Sequence, residues 1–281
     1  MESSLLFVSI VSSRIFKFSV GEAVDGTSTE VAVHEEAIAQ LSEPLRILTK
    51  SGPSARAGKA TWKDVSKDTF ERFVQYAYTG DYSIPKTEKR RFVPRAEELP
   101  KLESEEPQAT AAPESEPNPP AESEPEKISE EHVLTTDFRT LSLPLLAPRD
   151  NYEGTCEPSV DFEKDHSYSN VFLSHASLYV LGHVQLIENL KALALYKLHK
   201  TLCTFELDSE NIGDITDLAR YAYSGEDKNA EEGTGGLRGL VCQYMAIHAR
   251  ELHKDVKFMN LLVGGGQIVQ DFIKLQLQRV N

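Results

Sequence analysis

From Lys101 to His132 the chain holds ten glutamates, six prolines and no aromatic residue, and its only large aliphatic side chains there are Leu102 and Ile128. Such a stretch cannot bury enough apolar surface to offset the entropy of ordering, so it is expected to be disordered. With its flanks it defines an acidic insertion over 86–150. Ten glutamates against two lysines give Lys101–His132 a charge of −8, leaving −6 of the chain's −14 for the other 249 residues. The folded parts are therefore only mildly acidic. Thirty Lys and Arg against 44 Asp and Glu lack the positive excess that a general nucleic-acid binder sets against phosphates. No run approaches the ~18 consecutive apolar residues of a membrane-spanning helix.

Before the insertion, Arg14–Gly21 reads as a strand in which Phe16, Phe18 and Val20 alternate with Ile15, Lys17 and Ser19, so that one face is apolar. Asp25-Gly26 marks a turn, and Glu30–His34 reads as the returning strand of a hairpin. A helix through Glu35–Leu41 follows, then a second capped by Ser42 and stopped at Ser51-Gly52-Pro53. Ala60-Thr61-Trp62 is a short strand. Ser66 or Asp68 caps a helix carrying Phe70, Phe73, Val74, Ala77 and Tyr78 as one stripe, ended by Gly80 in the left-handed conformation. At the other end of this half, Leu5–Val11 is a short apolar run with Glu2 as its only charged neighbour. A secretory signal wants positive charge there, so a buried strand is the preferred reading.

After the insertion every segment reads as helical. Helices are expected over Tyr168–Gly182, over Leu186–Lys200 with Lys191, Lys197 and Lys200 solvated, over Ile212–Tyr223, over Leu237–Leu252, and over Gln267–Val280 behind the Gly264-Gly265-Gly266 break. Tyr76–Gly80 and Tyr221–Gly225 echo each other, which two similar helix ends explain better than a duplication.

Chemistry-bearing patterns are sparse. Cys156, Cys203 and Cys242 are odd in number and widely spaced, a poor disulfide framework that fits a reducing, cytoplasmic or nuclear compartment. His199 and Cys203 share a helical face and His175 and His183 are eight apart, yet a structural zinc site needs four ligands, usually as two close pairs. Satisfied or surface histidines are expected, with no metal. The glycine-rich stretches lack the lysine and the strand of a phosphate loop, and no nucleophile elbow, metalloprotease pair or kinase signature is present. No catalytic residue and no cofactor site is assigned. The basic run Lys86, Lys89, Arg90, Arg91 and Arg95 reads as a solvated loop in preference to a nuclear-localisation signal.

Phe70–Tyr82, with its Tyr78-Thr79-Gly80-Asp81-Tyr82 ending and Trp62-Lys63-Asp64-Val65 upstream, resembles the third-helix signature of BTB (POZ) domains. Phe16–Gly21 followed by Val31–His34 is similar to that family's opening hairpin, in which the His leads into the first helix. Phe172–Gly182 and Leu190–Leu198 are similar to the two helices that close the domain, and Leu237–Val241 with Leu261–Gly266 resembles the helical extension of filamentous-fungal members.

The resemblance implies an α+β fold, a small mixed sheet flanked by helices and followed by an all-helical C-terminal extension. The domain would comprise 14–85 plus 160–202, interrupted by the insertion, with 203–281 as the extension. It implies a non-enzymatic protein–protein interaction module, an adaptor or scaffold, with Trp62, Tyr78 and Tyr82 as interface candidates because aromatics are enriched at hot spots; packing in the core is the competing role for all three. Only 13 residues precede Arg14, too few for the subunit-swapped element of strongly dimeric members, so a monomer or weak homodimer is expected. The alternatives are a substrate adaptor of a cullin-3 ubiquitin ligase, a metal-dependent enzyme built on the histidines, and an indirect transcription partner. Members that recruit cullin-3 tend to carry a hydrophobic-x-Glu motif after the second core helix, whereas Lys50–Thr61 here holds Lys50, Arg56, Lys59 and no acid.

Overall fold

The alternation of Phe16, Phe18 and Val20 against Ile15 and Lys17 becomes strand β1 (Ile15–Val20), whose three inward side chains are fully or almost fully buried while Ile15 is half exposed. The computed structural model describes residues 2–21, 29–90, 138–147, 156–224 and 236–280. β2 (Thr29–His34) runs antiparallel to β1 in the register Ile15↔His34 to Val20↔Thr29, and β3 (Lys59–Trp62) runs parallel to it from Lys17↔Lys59 to Val20↔Trp62. The sheet order is β2-β1-β3, with both edges of the central strand occupied. The Asp25-Gly26 turn lies outside the described residues.

Helices fill the space between β2 and β3. His34 leads directly into α2 (Glu35–Ala39), and the Ser42 hydroxyl accepts the Leu45 N–H to start α3 (Glu43–Lys50). Ser51-Gly52-Pro53 ends α3 as expected but also opens α4 (Gly52–Ala57), because Gly52 turns at φ +82° and Pro53 suits a first helical turn. α5 (Lys67–Thr79) starts at Ser66, whose Oγ accepts the Thr69 N–H, and ends at Gly80 in the left-handed conformation.

Leu5–Val11, expected as a buried strand, is instead part of helix α1 (Glu2–Val11). A short apolar run is equally compatible with helix and strand, and here β2 and β3 already take both edges of β1. Ile10 enters the core, whereas Phe7, Val8 and Val11 are exposed.

The ends of the 86–150 segment belong to the fold, while Lys101–His132 lies outside the described residues. β4 (Glu88–Lys89) pairs antiparallel with β5 (His166–Ser167), and buried Phe138 packs its ring against His199 and Tyr244. Then come α6 (Ser169–Val184), α7 (Glu188–Thr204), α8 (Ile212–Tyr223), α9 (Leu237–Ile247), α10 (Ala249–Leu252), α11 (Val256–Val263) and α12 (Gln267–Val280). The single helix expected over Leu237–Leu252 is broken at His248, and α11 adds a helix that begins where Asp255 accepts the Phe258 N–H. One continuous apolar cluster runs from Ile10 and Phe16 through Phe172 and Leu198 to Phe258 and Ile268. The fold is mixed α and β, with a three-stranded sheet and helices. Among the described residues, no helix is long and apolar enough to cross a membrane.

Because that cluster draws on both sides of the insertion, replacing Lys101–His132 by a short Gly-Ser loop should leave the melting temperature nearly unchanged. Each doubling of loop length costs only about 0.6 kcal/mol of closure entropy. The two halves expressed separately should be insoluble or unfolded. A soluble Met1–Pro100 fragment with a cooperative transition would show instead that the chain holds two independent domains.

Candidate interaction surface

The three aromatic candidates occupy different environments. Trp62, at the end of β3, is partly exposed and packs its indole against Phe18, Phe70 and Phe73 at centroid distances of 5.0, 5.7 and 5.8 Å. Tyr78 is partly buried on α5; its hydroxyl accepts the His34 N–H at 2.9 Å and lies 2.8 Å from His34 Nδ1. Tyr82 is fully buried, so it is a core residue and offers no interaction surface.

Tyr82 belongs to a closed polar centre that the sequence pattern does not announce. Lys197, expected as a solvated lysine of α7, is fully buried, and Lys191 nearly so. The Lys197 ammonium donates to Asp81 Oδ1, to the Tyr82 carbonyl at 2.6 Å and to the Cys156 carbonyl at 2.8 Å, and sits 4.2 Å from the centroid of the Tyr82 ring. Asp81 Oδ1 also accepts the Tyr82 N–H at 2.7 Å. The Tyr82 hydroxyl meets His175 Nδ1 at 2.9 Å. Burial above all, with the nearby Lys197 and Arg72 charges, pushes the His175 pKa down to about 3. Lysine, aspartate, tyrosine and histidine thus converge, but all four are fully buried. They hold elements together and present no reacting atom to a substrate.

A second tie joins β4 to α8. Arg90 donates to Asp214 Oδ2 at 2.9 Å, to the His166 carbonyl at 3.1 Å and to the Glu210 carbonyl. Asp214 also accepts from the Ser167 hydroxyl and the Tyr168 N–H. Burial raises the Asp214 pKa against the lowering effect of these partners. Arg90 is therefore a structural residue and not part of a freely solvated basic loop.

The remaining thiols and imidazoles are dispersed. His199 Nε2 donates to the Phe138 carbonyl at 2.8 Å, and Cys203 Sγ lies 3.4 Å from the same nitrogen. Burial pushes the Cys203 and Cys242 thiols up to about 11, away from thiolate reactivity. Among the described residues, no three His, Cys, Asp or Glu side chains are grouped to hold a metal ion.

A groove of about 650 Å³ lies between α5 and α6, bounded by the β3–α5 connection and by Pro85–Glu88. That volume lies within the roughly 300–1,000 Å³ of ligand pockets. Asn170, Ser174, Ser177, Leu181 and Val184 recur at helical spacing and form the α6 wall. Thr69 Oγ1 and Ser177 Oγ, 3.0 Å apart, bridge the two helices. Of the three aromatic candidates, Trp62 alone lines the groove. No family model, no curated protein and no solved structure matches the chain.

Two outcomes follow from the buried centre. Lys197→Met should cost about 3–5 kcal/mol in chemical denaturation, because it removes the ammonium that faces the buried Asp81 carboxylate, while the double variant Asp81→Leu/Lys197→Met should cost less than the sum of the single changes. For His175, the unfolded chain takes up a proton near pH 6.5 whereas the folded chain resists until about pH 3. The unfolded state thus binds more protons across that window, and stability falls with falling pH by up to about 1.4 kcal/mol per unit. Denaturation at pH 7, 6 and 5 should show a shallower decline for His175→Gln than for the wild type.

Proposed function

We propose that the chain is a non-enzymatic protein–protein interaction module of BTB type, acting as an adaptor or scaffold as a monomer or weak homodimer. The element order supports the BTB reading: a hairpin whose His34 enters α2, a further strand ending at Trp62, the α5 helix closed by Gly80, and the α6–α7 pair after the insertion. The observation that carries the interaction reading is the open groove beside Trp62, whose wall includes Val65, Val180, Leu181 and the half-exposed Val184. An apolar wall within a polar rim is the arrangement that partner proteins bury on docking.

The test is affinity purification of the tagged full-length chain from native lysate, with Val184→Glu in parallel and cullin-3 probed directly. We expect discrete protein partners with the wild type that are depleted by the substitution. Binding of cullin-3 at micromolar concentration would specify the adaptor as a ubiquitin-ligase component. Absence of any stoichiometric partner, or stoichiometric zinc or iron in untagged protein, would count against an interaction module.

A further inference from the structure

We infer that the outer edge of β2 pairs antiparallel with the same edge of a second copy of this chain, an assignment that rests on the weak-homodimer reading above. The bonds of β1 show which groups of β2 point outward. Lys17 N–H donates to the Gly58 carbonyl and Gly21 N–H to the Trp62 carbonyl, so these alternate residues of β1 turn their main-chain groups toward β3. Phe16, Phe18 and Val20 therefore bond to their β2 partners Val33, Val31 and Thr29. That leaves the main-chain groups of Glu30, Ala32 and His34 on the outer edge. Tyr78 closes one end of it: its hydroxyl accepts the His34 N–H at 2.9 Å and stands where the carbonyl of an added strand would sit. Among the described residues, nothing bonds to the outward N–H and C=O of Glu30 and Ala32, and both residues are exposed.

Sheet edges are normally blunted by brevity, lysine or proline. The β3 edge is of that kind, four residues beginning at Lys59. β2 has six residues, no lysine and no proline, and its one acid, Glu30, is held by Lys17 of β1 at 2.7 Å. Such an edge is a template for a further strand. A second copy brings the matching edge already extended, so docking it costs no ordering of a flexible chain. With Val31 facing the second copy's Val31, Glu30 and Ala32 each exchange both main-chain bonds with the second copy's Ala32 and Glu30, and every free donor and acceptor is used. Sliding one step toward His34 would drive the second copy's Glu30 carbonyl into the Tyr78 hydroxyl. Sliding one step the other way would set the two Glu30 carboxylates opposite each other, a destabilising pair. The register between them sets each carboxylate against a small alanine and leaves it Lys17 as counter-charge. It also covers Val31, which is only partly buried against the core. So short an edge buries well under the about 1,200 Å² of a standard interface, which makes the dimer weak.

Sedimentation velocity on the full-length protein, over a dilution series reaching about 1 mM, reads the dimer directly. We expect reversible, concentration-dependent dimerisation, weakened at least tenfold by Ala32→Pro and by Ala32→Glu. The Ala32 N–H points outward, so proline removes no bond within the sheet, and glutamate sets like charges opposite each other. Both variants should keep the wild-type melting temperature within a few degrees; where proline unsettles the strand, the glutamate variant decides. Val31→Cys should form an intermolecular disulfide under mild oxidation, because a non-hydrogen-bonded antiparallel pair brings its Cα atoms to about 4.5 Å. Ala32→Cys, displaced by two residues from its counterpart, should not. A wild type that stays monomeric throughout, dimerisation indifferent to both Ala32 substitutions, or a disulfide that forms at residue 32 and not at residue 31 overturns the inference. Indifference leaves the weak homodimer standing on another surface, whereas a monomeric wild type removes the homodimer as well. A lysate protein captured by a monomeric wild type and lost with Ala32→Glu would assign the edge to a foreign strand instead.

Discussion

Lys197 places a charge where none of its surface meets water, and the architecture is arranged to make that tolerable. Taking an ammonium out of water costs several kcal/mol even after relaxation, and the cost is recovered only if a counter-charge and acceptors are already in position. Asp81 supplies the charge, and the carbonyls of Tyr82 and Cys156 take the remaining donors. These partners come from distant parts of the chain. Asp81 and Tyr82 follow the α5 helix, Lys197 lies in the middle of α7, and Cys156 stands where the described chain resumes before β5. The cation can be buried only when all three segments are assembled, which joins residues from both sides of the insertion in one buried centre.

That coupling explains how the fold accommodates an interruption between its sheet and its closing helices. Arg90, near the start of the 86–150 segment, is bonded to the β5 region and to α8. Phe138 and Cys156, beyond Lys101–His132, are bonded or stacked onto α7 and α9. The contacts that matter sit at the edges of the segment, and the sequence assigned those edges to the same acidic stretch because composition averages over a window. A single arginine or phenylalanine at the boundary of a Glu-Pro tract carries little compositional weight, whatever it touches.

Features governed by local periodicity were legible. Phe16, Phe18 and Val20 alternate because a strand alternates, Ser66 caps because its hydroxyl reaches the Thr69 N–H, and Gly80 ends α5 because a left-handed residue is needed there. Leu5–Val11 was misread because a seven-residue apolar run satisfies both templates, and the sheet's free edges decide the outcome. Lys197 was misread because lysine on a helix is ordinarily solvated. The available signal was its setting, with Leu193 and Ala194 one turn before it, Leu195 and Leu198 close by in the chain, and an aspartate just after the α5 glycine cap. Of the site, only Trp62 was found. The groove's other lining residues, Arg72, Asn170 and Ser174 among them, are invisible in a sequence, since lining a cavity is a property of three-dimensional neighbours.

The groove and the buried centre are two faces of one helix, and the geometry of the α6–α7 connection links them. At Gly182 an added Cβ would lie 3.0 Å from Lys191 Cγ and 3.1 Å from the Lys191 backbone nitrogen, so any side chain there would press on the facing helix. The turn between them is correspondingly tight: Leu186 donates to the His183 carbonyl and Ile187 to that of Gly182, the paired bonds of a Schellman ending. Leu186 takes the left-handed position at φ 54°, which costs a non-glycine residue about 1–2 kcal/mol. Burial of Ile187 beside it offsets that strain. Beyond this turn Lys197 on α7 reaches Asp81, and Asn170, Ser174 and Val184 on α6 line the groove. α6 thus carries one wall of the groove and, through His175, one member of the buried centre, while α7 supplies the cation.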